Sequence, residues 1–234
     1  MKTADEKEFA NWLLLGDGKL SNTDGLHIDT IEIPQDFITK GSLITKIFGY
    51  TITMKQVQDN PDRAILCPKN EDTFKINDEI LGLMEGEEKE YLSIDSIVSD
   101  DPQEQLNFPT EFLNSMTPSG MPVHRLKIKV SATIILLRNL NTKKGLCNGT
   151  RFIVTDLKPN LIYAEVLTGP AQSQIIFLPK INFLPNDSEL PFKLKQRQFL
   201  IRVSFAMTIN KSQGQTLQKV GIYLPYPVFA HGQL

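Results

Sequence analysis

With 234 residues, 41% of them hydrophobic and 22% charged, the chain has the make-up of a folded protein with room for one sizeable core or two small ones. No apolar run approaches the length of a membrane span and the start MKTADEKEFA has no signal-peptide core, so no membrane association and an intracellular setting are expected. Cys67 and Cys147 have no CxxC spacing and cannot complete a zinc quartet with the three histidines, so neither a structural metal nor a disulfide is expected.

The net charge of −2 conceals an asymmetry. Residues 71–104 hold twelve Asp or Glu against Lys75 and Lys89, whereas residues 121–211 hold fourteen Lys or Arg against Asp156, Glu165, Asp187 and Glu189. A basic half is the footprint of phosphate contact, although charge runs also arise as ordinary solvated surface.

In chain order, Phe9, Trp12 and Leu13 repeat at i, i+3, i+4, which predicts a short amphipathic helix over 8–15 closed by Gly16 or Gly18, with Trp12 as a core anchor. Gly16-Asp17-Gly18-Lys19 is a turn rather than a phosphate loop, because the earlier glycine of that loop is missing and Leu20 stands where Ser or Thr would meet magnesium. Ile28, Ile31 and Ile33 follow in an extended stretch. The run from Ala64 to Cys67, bounded by Asp62 and Pro68, predicts a buried strand. Asn70 then reads as an N-cap, with Glu71 and Asp72 in the first turn of a helix whose apolar face is Phe74, Ile80, Leu81 and Met84.

Tyr91, Ser93 and Asp95 predict a strand in the acidic region. Asp100-Asp101 lacks the long apolar strand of a magnesium-binding acid, and Pro102, Pro109, Pro118 and Pro122 mark a linker. Short apolar or alternating runs at Leu126–Val130, Thr133–Leu137, Phe152–Thr155, Leu161–Val166 and Ile175–Leu178, separated by Gly, Asn and Pro turns, predict a small antiparallel barrel.

Lys193, Lys195 and Arg197 lead into a period-2 strand at Phe199, Ile201, Val203 and Phe205, expected to share a sheet with the Ala64 strand. Asn210, Lys211, Ser212, Gln213, Gln215 and Thr216 then surround Gly214, before Val220, Ile222 and Leu224 resume alternation. A polar turn between two such strands falls at the carboxyl end of a sheet, where open α/β sheets bind ligands. An ordinary surface turn in which Gly214 ends a helical turn is the competing reading.

The words TINKSQGQTL, VGIYL and VFAHGQL resemble motif V and the opening of motif VI of the Pif-one-like DNA helicases of superfamily 1B, in particular the Helitron type. The strand, polar turn and helix from Ala64 to Met84 resemble motif IV of the same family. LKIKVSATIILLRNL and KKGLCNGTRFIV resemble the Src-homology-three-like β-barrel inserted in its second motor domain.

The resemblance runs from Phe9 to the last residue. It implies an α/β fold: a RecA-like second motor domain with an inserted small antiparallel β-barrel. Residues 1–60 would then close the first motor domain or connect it, 60–122 and 185–234 would build the second domain, and 123–184 would form the barrel.

Carried over residue by residue, Lys69, Asn70, Gln213, Gly214 and Gln215 would line the ATP cleft. Thr208, Asn210, Lys211, Ser212, Lys127 and Lys129 would contact single-stranded DNA, with Arg138, Lys143, Lys144 and Arg151 as further barrel cations. ATP and Mg2+ are the family's cofactors, and 5′ to 3′ polarity, DNA repair and recombination, and a nuclear or mitochondrial location come with it.

No Walker A match and no arginine continuing HGQL are found, so no catalytic residue is assigned and His231 is left without a role. The chain by itself is expected not to hydrolyse ATP and to need the N-terminal RecA-like domain as a partner. The alternative is a non-catalytic nucleic-acid-binding or interaction fragment descended from a transposon helicase.

Overall fold

The computed structural model describes residues 33, 35–99, 107–118, 120–185 and 190–226. The helix expected over 8–15 with Trp12, the Ile28 and Ile31 stretch, Asp100-Asp101 and His231 lie outside the described residues. Among those described, no helix is long and apolar enough to cross a membrane.

The fold is mixed α/β. Two short helices, α1 (Leu43–Phe48) and α2 (Met54–Asp59), precede the first strand, and their starts are fixed by side chains. The Ser42 hydroxyl accepts from the Thr45 N–H at 3.3 Å. Thr53 Oγ1 accepts from the Gln56 N–H at 3.2 Å while Gln56 Oε1 accepts from the Thr53 N–H at 3.1 Å, a reciprocal cap that satisfies two otherwise orphaned donors.

Strand β1 (Arg63–Cys67) is the centre of a three-stranded parallel sheet, flanked by β12 (Ala206–Thr208) and β13 (Lys219–Ile222). Ala64, Ile65 and Cys67 are fully buried, as the apolar run predicts. A Cβ on Gly221 of β13 would come within 2.9 Å of Ile47 Cγ1 and 3.0 Å of Leu43 Cδ1, so the missing side chain is what lets α1 lie on the sheet.

Helix α3 (Asn70–Leu83) packs on β1 and β12 through Ile76, Ile80 and Leu81. Its N-cap is Lys69 rather than Asn70, with no side-chain cap bond, and Phe74 is only half-buried. The acidic first turn is present as expected.

The middle of the chain is antiparallel. β2 (Lys89–Leu92) pairs with β4 (Arg125–Ile128), and β3 (Ile94–Val98) pairs with β10 (Lys193–Gln198), which also pairs with β9 (Ile181–Phe183). A five-stranded sheet runs β11 (Ile201–Val203), β5 (Thr133–Leu136), β6 (Arg151–Lys158), β7 (Leu161–Val166), β8 (Ile175–Pro179). The strands predicted at 133–137, 152–155, 161–166 and 175–178 are therefore present.

The sheet is not made of residues 123–184 alone, since β11 joins it from outside and β4 leaves it for β2. Among the described residues its edges, β11 and β8, are not paired to each other. The proline-marked stretch is no bare linker either. It contains α4 (Thr110–Ser115), whose Leu113 joins Ile97, Met121, Phe192 and Leu194 in a second, smaller core.

One expectation fails at Phe199–Phe205. Ile201–Val203 pairs antiparallel with β5, so this strand does not share the sheet of Ala64, and only the next residues, β12, pair with β1. The switch occurs across Ser204 and Phe205, whose N–H and C=O bond to Thr133 O and Ile65 N respectively, both at 2.9 Å. Buried Asn77 of α3 serves the backbone on both sides: its Nδ2 donates to Val203 O (3.1 Å) and Ala206 O (2.9 Å), and its Oδ1 accepts from the Ala206 N–H (2.8 Å). Alternation reads the side-chain faces here but not the change of partner.

Candidate nucleic-acid and nucleotide interface

Thr208 ends β12 opposite Cys67, which ends β1, so the two chains leave the parallel sheet side by side at its carboxyl end. From β1 the chain passes Pro68 and Lys69 into α3. From β12 it turns directly into α5 (Ile209–Ser212), which packs on the ends of β12 and β1. The structure thus brings Lys69 and Asn70 together with Thr208, Asn210, Lys211 and Ser212.

Within this group, Asn210, Gln213 and Gly214 are exposed and Thr208, Lys211 and Ser212 half-buried. The Ser212 hydroxyl donates to Ile209 O at 2.7 Å. Gly214 takes φ +77° just past the helix, a left-handed turn that a residue with a Cβ enters only with strain. The Gln215 amide is turned towards the β5–β6 loop, donating to Gly149 O at 2.9 Å. The Lys69 ammonium sits 5.0 Å from the centre of the Tyr226 ring, a cation–π distance.

The electrostatics centre on Arg202 of β11, a residue to which the sequence reading assigns no role. Its Nη1 donates to Asn70 Oδ1 at 3.0 Å, its guanidinium carbon lies 4.5 Å from the centre of the Phe74 ring, and its Nη2 reaches Met121 O at 3.4 Å. Burial lowers its pKa. Burial, helped by the charge of Arg202, brings the Lys211 ammonium from 10.5 down to about 8. The available signal was a cation set among apolar strand residues directly before the polar turn.

The expected barrel cations are not gathered here. Lys127 is on β4, paired with Glu88 at 3.7 Å. Lys129 is buried rather than on the surface, with its Nζ donating to Met84 O at 2.8 Å; the strand alternation that exposes Lys127 ends before it. Arg151 is likewise fully buried, donating from Nη2 to Pro61 O at 3.0 Å. Arg138, Lys143 and Lys144 remain exposed.

Comparison with known proteins points to one family. Residues 111–157 match the family described as DNA helicase Pif1, 2B domain. The ATP-dependent DNA helicase PIF1 of Danio rerio is 30% identical over 181 residues, covering 72% of this chain and 24% of that protein. The chain therefore spans about a quarter of that relative's length.

Among solved structures, one concerned with DNA unwinding at forked duplexes by two coordinating Pif1 helicases matches with a TM-score of 0.53 and 26% identity, over 74% of this chain and 35% of that one. A Bacteroides Pif1 bound to single-stranded DNA shares the fold, with a TM-score of 0.55 at 23% identity over 81% of this chain and 43% of that one. By sequence and by fold, this chain corresponds to a partial, C-terminal region of a Pif1-like helicase.

Proposed function

We propose that the chain belongs to the second motor domain of an ATP-dependent DNA helicase, where it supplies single-stranded DNA contacts and one wall of the ATP cleft. The observation that carries this reading is the pairing of Cys67 with Thr208, which sets two polar turns together at the carboxyl end of a parallel sheet. That is where open α/β sheets take ligands. The names of the relatives, ATP-dependent DNA helicases and a Pif1 bound to single-stranded DNA, support it.

In this reading Thr208, Asn210, Lys211 and Ser212 offer backbone amides, hydroxyls and one cation to DNA phosphates, which positions a strand without reading its bases. Lys69, Asn70, Gln213 and Gly214 face the nucleotide. Asn70, Gln213 and Gly214 are exposed and Lys69 half-buried, and their polar groups fit a triphosphate that supplies the transferable phosphoryl group, with Mg2+ held elsewhere in the intact enzyme. The five-stranded sheet with the β2–β4 pair is read as the Src-homology-three-like barrel, and polarity from 5′ to 3′ and a nuclear or mitochondrial setting follow from the family.

Titration of a labelled oligothymidylate at several salt concentrations tests the DNA half. Binding should be sequence-independent and weaken with salt, and Lys211→Ala should lower affinity equally for all sequences while flattening the salt slope by about 0.7, the value of one single-strand phosphate contact. Salt-independent affinity, or no binding at low salt, would overturn the reading.

A further inference from the structure

Arg202 and Lys211 come from different elements, yet both meet the turns that leave the carboxyl end of the parallel sheet, and among the described residues neither has an acidic partner there. The hydrogen bond to Asn70 holds Arg202 at the turn after β1, and α5 carries Lys211 on the ends of β12 and β1. The Arg202 Nε is buried with no hydrogen-bond partner among the described residues. The acidic groups of the adjoining helix are Glu71 and Asp72 in the first turn of α3, with Asp78 and Glu79 further along it, and none of them forms an ion pair with Arg202 or Lys211. Asp72 acts instead on the Cys67 thiol.

Two partly desolvated cations without a counter-ion are unfavourable, and a phosphate that bridges them removes both penalties. The guanidinium supplies a planar fork and the ammonium a point charge, complementary ways of holding phosphate oxygens.

We propose that Arg202 is the second cation of a two-cation phosphate seat, holding one backbone phosphate of single-stranded DNA together with Lys211 and tying that seat to Asn70 at the start of α3. This rests on the DNA-contact reading above and adds a residue that the motif resemblance does not assign. The side chain that binds phosphate on one side is bonded on the other to a residue of the nucleotide-facing turn, so occupancy of the seat fixes Asn70 as well. Burial and Arg202 both hold down the Lys211 pKa, so the free seat carries its full charge only below about pH 8.

The test uses the full 234-residue chain and a labelled oligothymidylate, with thermal melting to confirm that each variant folds. Arg202→Gln should weaken binding about 10-fold and flatten the salt slope by about 0.7. Arg202→Lys, which keeps the charge, should preserve the slope.

In the wild type, affinity should fall as pH rises through about 8, where Lys211 loses its proton, and in Arg202→Gln that fall should move to higher pH. Asn70→Ala, which frees the guanidinium but leaves both charges, should lower affinity at unchanged slope. It also covers the case in which Arg202→Gln fails to fold. An unchanged affinity in Asn70→Ala, or an unchanged slope and pH midpoint in folded Arg202→Gln beside a weakened Lys211→Ala, would make Arg202 structural and overturn the inference while the DNA reading stands. Loss in Arg202→Gln of binding to a fluorescent ATP analogue but not to the oligonucleotide would assign the seat to a nucleotide and also overturn it. Failure of the wild-type chain to bind DNA is the separate outcome that removes the earlier reading.

Discussion

Burial changes what a side chain can do, and Cys67 is the sharpest case. It sits fully buried at the end of β1, and burial, with the charge of Asp72 as the second cause, raises its thiol from 9.0 to about 12. A thiol that stays protonated is a poor nucleophile, so a position beside the polar turns does not make it reactive. In native protein at pH 8 a disulfide reagent should titrate at most one of the two cysteines, and both once the chain is denatured. Two fast-reacting thiols in the native state would contradict the buried placement. The sign of the linkage follows: the neutral thiol's contribution to stability is fully present below about pH 9 and is lost as pH rises towards 12. Lys129 makes the same point for a base. Its alternation with Lys127 predicts exposure, but the strand ends at Ile128 and the next residue turns inward to Met84. One-dimensional spacing shows a face only as long as the element continues.

Among the elements, strands and helices that bury one face were legible because their periodicity is a direct record of burial. β1, the apolar side of α3, β5, β7 and β8 follow the sequence closely. What could not be read was pairing. β4 looks like a barrel strand by composition yet pairs with β2, and the alternating stretch at Phe199–Phe205 is divided between two sheets. Periodicity specifies which side of a strand is wet and says nothing about its neighbour. The polar turn after β12 was legible as a candidate site by its composition, whereas the placement of Arg202 was not, because it depends on Asn70, 132 residues away in sequence. The α2 cap went unread, although the word TMKQ fits a capping box. Asn77 is the element-level test. It makes three hydrogen bonds to backbone on both sides of the sheet switch, all buried. Asn77→Ala should lower unfolding free energy by about 3 kcal/mol, since losing it strands buried backbone donors and acceptors at roughly 1–3 kcal/mol each. Urea unfolding would read this, and a loss below about 1 kcal/mol would mean that the backbone finds other partners.

At the scale of the whole molecule, the proposed cleft has one wall. The groups named for nucleotide and DNA sit at one end of the parallel sheet, and no Walker A pattern occurs in the sequence. Phosphoryl transfer depends on a phosphate-cradling loop, its lysine and a metal acting together, and removing one charge-stabilising group of the arginine-finger kind costs about 10³-fold or more. The 234-residue chain should therefore release no phosphate from ATP, with or without single-stranded DNA, while a longer protein that includes an upstream Walker A domain should do so. DNA-stimulated turnover by the 234-residue chain alone would mean that it holds a complete nucleotide site, and silence from both would favour the non-catalytic reading.

The switch at Ser204 and Phe205 has a mechanical consequence. Two residues at full stretch span only about 7 Å, and here each is already bonded to a different sheet. The junction is a taut tether with no slack. Any displacement of the five-stranded sheet by more than a bond length must either drag β12, and with it Lys211, or first tear Asn77 off the backbone. A pull on the β11 edge of the sheet is thus passed along the chain to β12 and the polar turn.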